Sequence, residues 1–255
     1  MEPQPLVDRV TWLRGPLSNC AQIPDGGQTP SRLVLLGAPG VGKGTQAELL
    51  TGHLRACHLS TGEVFRAAGI RSDYDLSPAM KEALDYMRRG ELVPDSTVWE
   101  MVRERGACLR CGGGFILDGF PRTLRQAESL KNWMDSEGLA LTAVVSYDLP
   151  ENEIVSRLGG RRTCEMCKAV FHLTERAPRV VGRCDHCGGN LFQREDDRPE
   201  SIRVRLEAYR RSTEPLIKFY REVGLLISVN AAGSPEQIFQ KTLADLASRE
   251  QLSSL

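Results

Sequence analysis

Short apolar runs alternate along the chain with longer segments in which apolar residues recur at helical spacing. The first run, residues 32–36, is the kind of largely apolar stretch that forms buried parallel strands. Runs of the same character occupy residues 114–117, 143–147 and 225–229. The predicted helices are residues 44–54, 78–89, 97–105, 125–136, 152–157, 199–222 and 235–247. This alternation predicts an α/β fold, a doubly wound parallel sheet whose ligands bind at the carboxyl ends of the strands.

Two segments depart from this pattern. Residues 1–29 hold several prolines and glycines and show no sustained periodicity, which predicts a flexible N-terminal extension. Between residues 159 and 197 the pattern breaks into short pieces punctuated by cysteine and glycine, which predicts an insertion. We therefore expect a core over residues 30–255 that carries this insertion.

Composition and charge narrow the range of partners. The 255 residues are 41% hydrophobic, which suits one large domain with or without inserted lobes. The 33 basic and 33 acidic side chains cancel, which argues mildly against a nucleic-acid or membrane-surface partner. No apolar run approaches the roughly 20 residues that span a bilayer, and the N-terminal residues lack a signal-peptide pattern. We expect a cytoplasmic protein with neither a nucleic-acid nor a membrane partner.

A glycine-rich segment, GAPGVGKGT at residues 37–45, follows the first predicted strand and opens the first helix. Glycines let backbone N–H groups turn toward an anion, and the helix N-terminus and the lysine add positive charge. An ordinary strand-to-helix turn is the alternative, but the lysine and the strand–helix context favour a nucleoside triphosphate. Gly44 stands where the common motif has the serine or threonine that holds magnesium. The candidate phosphate-binding residues are Gly37, Gly40, Val41, Gly42, Lys43, Gly44 and Thr45.

Three further motifs are STGEVFR at residues 60–66, GELVPD at 90–95 and DGFPRT at 118–123. Taken alone, the first is typical of a capped helix start, and the Asp-Gly and Phe-Pro pairs of the third are turn chemistry. Turn chemistry leaves Arg122 unexplained, whereas an arginine fork suits the oxygens of a phosphate.

Together with GAPGVGKGTQA at residues 37–47, these motifs resemble the nucleoside monophosphate kinases, most closely the adenylate kinases. The resemblance covers about residues 31–250. It implies reversible phosphoryl transfer from Mg-ATP to AMP, giving two ADP, by a monomer with two mobile lobes. These are an AMP-binding lobe at residues 60–93 and a lid at residues 160–197. UMP, CMP or GMP remain alternative acceptors, although the long lid, Thr61 and Gln126 favour AMP.

The resemblance also implies roles in the AMP half of the site. Thr61 and Gln126 would face the adenine, Arg66 and Arg122 would hold the phosphate, and Asp118 would orient magnesium through water. The implied AMP-binding residues are Thr61, Arg66, Val93, Gly119, Arg122, Gln126, Arg194 and Arg205.

In the ATP half, the resemblance implies that Arg157 stacks on the adenine and that the backbone of Ser228 contacts the nucleotide. Two nucleotides bring together about seven phosphate charges, so positioning and neutralisation by fixed cations carry most of the catalysis. The implied catalytic residues are Lys43, Asp118, Arg122, Arg161, Arg194 and Arg205, with Asp196 and Asp197 at the lid hinge. By contrast, Arg203, Arg210 and Arg211 are typical of a solvated helix face.

Two CxxC pairs lie within the predicted insertion: Cys164 with Cys167, and Cys184 with Cys187. Their spacing is typical of a tetrahedral Cys₄ zinc site, in which four thiolates close the coordination sphere and the metal is structural. Disulfides and a nucleic-acid-binding zinc ribbon are the alternatives. The resemblance supports zinc, because many bacterial adenylate kinases carry a cysteine-bound metal at this place in the lid. A third pair, Cys108 and Cys111, lies outside the family pattern and is expected to be free thiols.

Overall fold

A computed structural model describes residues 30–62, 78–104, 109–110 and 112–253 of the chain. The predicted N-terminal extension, Arg66, and the pair Cys108 and Cys111 lie outside the described residues.

A five-stranded parallel sheet forms the centre of the described part. Its strands are β1 (Ser31–Gly37), β2 (Cys57–Ser60), β3 (Gly114–Asp118), β4 (Ala143–Asp148) and β8 (Leu226–Asn230), in the spatial order β2-β3-β1-β4-β8. All neighbouring strands in it are parallel, which confirms the predicted fold class. The sequence pattern missed β2 because its four residues, Cys-His-Leu-Ser, do not form an apolar run.

Helices cover both faces of this sheet, and their bounds agree with the predicted ones to within six residues, with one exception. They are α1 (Lys43–Leu54), α2 (Pro78–Arg88), α3 (Asp95–Glu104), α4 (Leu124–Ser136), α5 (Glu151–Gly160), α6 (Pro199–Ala208), α7 (Pro215–Glu222) and α8 (Pro235–Ser253). Val34 and Leu36 of β1 pack in one buried cluster with α4 and α7. Leu33 and Leu35 of the same strand face the opposite cluster, which α1 and α8 complete.

The exception is the predicted helix at residues 199–222, which is not continuous. Between α6 and α7 the chain forms a π-helical turn, Tyr209–Thr213. Proline at position 215 has no N–H to donate to the carbonyl four residues earlier, and its ring would clash with that carbonyl. The wider turn avoids this clash, so the prediction of one uninterrupted helix was wrong.

The insertion forms a small antiparallel sheet of its own. β5 (Arg161–Cys164) lies between β6 (Val170–His172) and β7 (Leu191–Phe192). A 3₁₀ turn, Glu195–Asp197, then leads into α6. The buried members of the cluster inside this lid sheet are Cys164, Phe171 and Cys184, which is little apolar material to hold three short strands.

Parallel strands bring the sequence motifs to one edge of the central sheet. Ser60 at the end of β2 and Leu35 of β1 both pair in register with Asp118 at the end of β3. The glycine-rich segment follows β1 at the same edge, which is where ligands bind in folds of this kind. Within the described residues, no helix combines the length and the apolar character that crossing a membrane requires.

Candidate active site

The glycine-rich segment wraps around the N-terminus of α1. Gly37 has a φ of +135°, and a Cβ there would lie 2.5 Å from the carbonyl oxygen of Tyr147, so no other residue fits. Gly42 caps α1 with a φ of +106°. Lys43 Nζ donates to the carbonyl oxygens of Gly37 at 2.7 Å and Ala38 at 2.9 Å, which holds the ammonium over the loop. The segment therefore forms an anion cradle of backbone amides, a helix N-terminus and one cation.

Lys43 is in an environment that disfavours its charge. Burial lowers its pKa from 10.5 to about 8, with further lowering by Arg122, Arg205 and Arg161, while Asp118 opposes the shift. A concentration of positive charge around a partly buried lysine is typical of a site that binds a polyanion.

Asp118 lies at the end of β3 beside His58, for which the sequence analysis predicted no role. His58 of β2 places Nε2 3.8 Å from Oδ2 of Asp118. Burial on its own would raise the pKa of Asp118, but the interaction with His58 and the charges of Lys43 and Arg122 outweigh it and lower the pKa. Asp118 is thus a carboxylate, available to a cation at the cradle. The missed strand β2 is the reason that His58 could not be placed beforehand.

The DGFPRT motif forms a hydrogen-bonded corner at the start of α4. The Arg122 N–H donates to Gln126 Oε1 at 2.7 Å, and Arg122 Nε donates to the Gly119 carbonyl at 2.8 Å. Gln126 Nε2 donates in turn to Asp95 Oδ1 at 2.6 Å, and Thr123 caps α4 by accepting from the Gln126 N–H. This corner fixes the backbone from which the Arg122 guanidinium projects.

A small pocket beside this corner brings together the described residues predicted for AMP, except Arg194 and Arg205. Thr61 and Gln126, both almost completely buried, line it, and Thr61 Oγ1 donates to the Gly119 carbonyl at 2.9 Å. Leu92 and Val93 close the pocket from the segment after α2. Thr61, Val93, Gly119, Arg122 and Gln126 therefore surround one cavity.

Two of the predicted catalytic arginines, Arg161 and Arg205, converge on one buried carboxylate. Asp197, which is 0% exposed, accepts from Arg161 Nε at 2.7 Å and from Arg205 NH1 at 3.0 Å. Arg205 also bonds the Asp196 carbonyl at 2.7 Å, and Arg194 Nε donates to Thr163 Oγ1 at 2.8 Å. The predicted hinge acids thus hold two of the arginines beside the cleft.

One cleft of about 290 Å³ joins these parts. The anion cradle and Asp118 line it together with the arginines Arg122, Arg157, Arg161, Arg194 and Arg205. Arg157 joins the cradle to the segment after β8, donating to the carbonyls of Val41 at 3.4 Å and Ala231 at 3.2 Å.

The sequence analysis missed part of this lining, and one of the residues that it predicted lies outside the lining. The lid segment with Val170, Phe171 and Glu175 forms a wall of the cleft, and Gly233 reaches it from the end of the sheet. Ser228 does not: it lies mid-strand in β8, exposed and paired with Ser146. Weak periodicity in the insertion gave no signal for the lid wall.

The four lid cysteines form a cluster that fits a metal. Their Sγ atoms lie within 4.8 Å of one another, with Cys164–Cys187 and Cys167–Cys184 each at 3.5 Å. Zn–S bonds of about 2.3 Å in a tetrahedron place sulfur atoms about 3.8 Å apart. A disulfide would need about 2.05 Å, and these thiols are free. The donor set and its spacing therefore match a closed structural metal site, and the disulfide alternative does not hold.

A parallel sheet, a lysine-bearing anion cradle after its first strand and a cleft lined with arginines define the class of P-loop nucleotide-binding proteins. Comparison with known proteins narrows this class. The family model for adenylate kinase matches residues 35–225. The adenylate kinase of Thermodesulfovibrio yellowstonii is 47% identical over 215 residues, covering 84% of this chain and 98% of that protein.

Two further relatives agree. The adenylate kinase of Streptomyces griseus is 44% identical over 221 residues, covering 86% of this chain and 99% of that protein. That of Acidothermus cellulolyticus is 45% identical over 215 residues, covering 84% and 97%. The chain belongs to the adenylate kinase family, enzymes that convert ATP and AMP to two ADP. The prediction of an adenylate kinase enzyme is confirmed.

Proposed function

We propose that the chain transfers the γ-phosphoryl group of Mg-ATP directly to AMP in one in-line step, without a phosphoenzyme. The donor phosphates occupy the anion cradle, with Lys43 released from the carbonyls of Gly37 and Ala38 to meet them. Arg157, held across the cleft by two backbone carbonyls, offers its guanidinium face to the adenine. The side wall of the nucleoside comes from Phe171 in the lid.

AMP occupies the small pocket, with its adenine between Thr61 and Gln126 and its phosphate against Arg122. This pocket supports the proposal because it shares Gly119 and Arg122 with the main cleft, so the acceptor phosphate and the donor phosphates can meet. Arg66, outside the described residues, is the second cation proposed for the AMP phosphate. Both half-sites come from one chain, which supports action as a monomer.

Catalysis rests on cations already fixed in place before the reaction. Arg161 and Arg205 are oriented by Asp197, and Arg194 by Thr163, so little reorganisation is needed when charge concentrates on the transferred group. We propose that residues 160–197 act as the lid and residues 60–93 as the AMP-binding lobe. Their closure excludes water, which would otherwise hydrolyse ATP.

The residues present also fit the two metal ions of this proposal. Asp118 and Thr45 would hold Mg²⁺ beside the cradle, because Mg²⁺ prefers oxygen ligands. Asp118 lies close to the cradle, since a Cβ built on Gly44 would be 3.8 Å from Asp118 Oδ2. When bound, the ion neutralises charge on the phosphates. The four lid cysteines would hold Zn²⁺, which does no chemistry there and stabilises a lid with few buried apolar residues.

The observation that carries the proposal is the convergence of the cradle, Arg122 and the Asp197-bound arginines on one cleft. A pH profile tests the donor half. In the free enzyme Lys43 is charged below its pKa of about 8 and loses the proton above it. We therefore expect kcat/KM for ATP, which reports the free enzyme, to fall as pH rises through this value.

The matched variant is K43R, whose guanidinium stays protonated to above about pH 12. Its absolute activity will be lower, but the fall near pH 8 should disappear from its profile. The same fall in both proteins would assign the titration to another group and would contradict the proposed contact between Lys43 and the donor phosphates.

A further inference from the structure

The π-helical turn between α6 and α7 interrupts a helix that otherwise borders the active site. The N–H of Glu214 donates to the carbonyl of Tyr209, five residues earlier, at 2.9 Å. Pro215 imposes this wider turn, as described above. Such turns inside helices often occur at functional sites, so the side chains that it redirects are of interest.

One of these side chains reaches the hydrogen-bonded corner that the DGFPRT motif forms. Thr213 is 7% exposed, and its Oγ1 donates to the backbone carbonyl of Arg122 at 3.0 Å. In an unbroken α-helix each residue advances by about 100°, so removing the extra residue of the turn would rotate Thr213 away from this carbonyl. The turn is therefore what brings the hydroxyl to Arg122.

The backbone of Arg122 is consequently held from both sides. Gln126 accepts from its N–H at 2.7 Å, and Thr213 donates to its carbonyl. Gln126 belongs to the same motif, but Thr213 lies 91 residues away, at the end of the segment that begins with α6. Because α6 also carries Arg205, this hydroxyl ties the helix of one cleft arginine to the backbone of another.

We infer that Thr213 is a positioning residue for Arg122: its hydroxyl fixes the peptide from which the guanidinium reaches the acceptor phosphate. This inference rests on the proposed function of Arg122. A buried hydrogen bond at the base of a catalytic side chain sets the direction of that side chain, and small errors in direction weaken phosphate binding in the acceptor half.

Steady-state kinetics of ADP formation on T213V test the inference, because valine keeps the shape of threonine and removes only the hydroxyl. We expect KM for AMP to rise about 3- to 10-fold, the equivalent of one net hydrogen bond, with KM for ATP changed by less than about 2-fold. T213S restores the hydroxyl and should return KM for AMP to near the wild-type value. T213A lacks both the hydroxyl of threonine and the branched methyl groups of valine. It should match T213V, and it replaces T213V in the test if T213V does not fold.

T242V is the matched structural control. Thr242 is also buried and donates its hydroxyl to the Ile238 carbonyl at 2.9 Å, but it lies on α8, outside the cleft. T242V should lower the melting temperature and leave KM for AMP unchanged. If T213V or T213A has a wild-type KM for AMP while R122A loses activity, the inference is wrong and the proposed function stands. If R122A itself is fully active, the proposed role of Arg122 fails and the inference fails with it.

Discussion

R122A is expected to lower kcat/KM for AMP by about a thousandfold, the usual effect of removing an arginine that stabilises phosphoryl transfer. The Arg122 side chain is exposed at the cleft, so its removal should leave the melting temperature almost unchanged. Alanine removes both the charge proposed to bind the acceptor phosphate and the planar fork proposed to orient it. The measurement is ADP formation at varied AMP and saturating Mg-ATP.

Two further variants show whether the loss of activity in R122A is specific to the Arg122 guanidinium group. R122K keeps the charge without the planar fork and should recover only part of the activity. R125A removes an equally exposed arginine three residues further along, outside both pockets, and should behave like wild type. Equal losses in R122A and R125A would show a general effect of charge, and full activity in R122A would contradict the proposed AMP site.

The substitution C184S is expected to release the lid metal and unfold the lid. Cys184 is one of the three buried members of the lid cluster, so apolar burial holds the lid weakly, and the proposed metal would supply the missing stability. We expect loss of the bound zinc and a fall in melting temperature of about 10 °C or more. Activity should fall with it, since Arg161 and Phe171 belong to the same small sheet.

Metal analysis by mass spectrometry, thermal melting and activity on the same samples make this test. C57S is the control, because Cys57 lies on β2, away from the cluster. A C184S protein that keeps its metal and melts like wild type would contradict a structural zinc site formed by the four cysteines.

Much of the fold was predictable because buried parallel strands are continuous apolar runs. The strands β1, β3 and β4 have this character and were found, and β8 was found from its apolar residues although it is less buried. β2 was missed because Cys57–Ser60 is short and mixed, and with it the contact of His58 with Asp118. A contact between residues 60 positions apart depends on strand order, which local periodicity does not carry.

The functional site was likewise predictable where it depends on local sequence and not where it depends on distant parts of the chain. The anion cradle and the corner formed by the DGFPRT motif are local motifs whose residues lie close together in the sequence, so the sequence predicts their geometry. The prediction for Ser228 depended on where β8 meets the cleft, which the sequence does not show. In the structure Ser228 lies within β8, and Gly233, after the strand, lines the cleft. Thr213 could be found only once the π-helical turn was known, because the proline that causes it says nothing about where the hydroxyl points.

The central claim is that this cleft moves a phosphoryl group from ATP to AMP. The most direct measurement is a coupled assay of ADP formed from Mg-ATP, offering AMP, GMP, CMP and UMP in parallel. The account predicts rapid turnover with AMP and little with the other three acceptors, because Thr61 and Gln126 line the pocket proposed for the adenine of AMP. Preference for another acceptor would contradict the assignment of these two residues, and no turnover with any acceptor would contradict the proposed transfer itself.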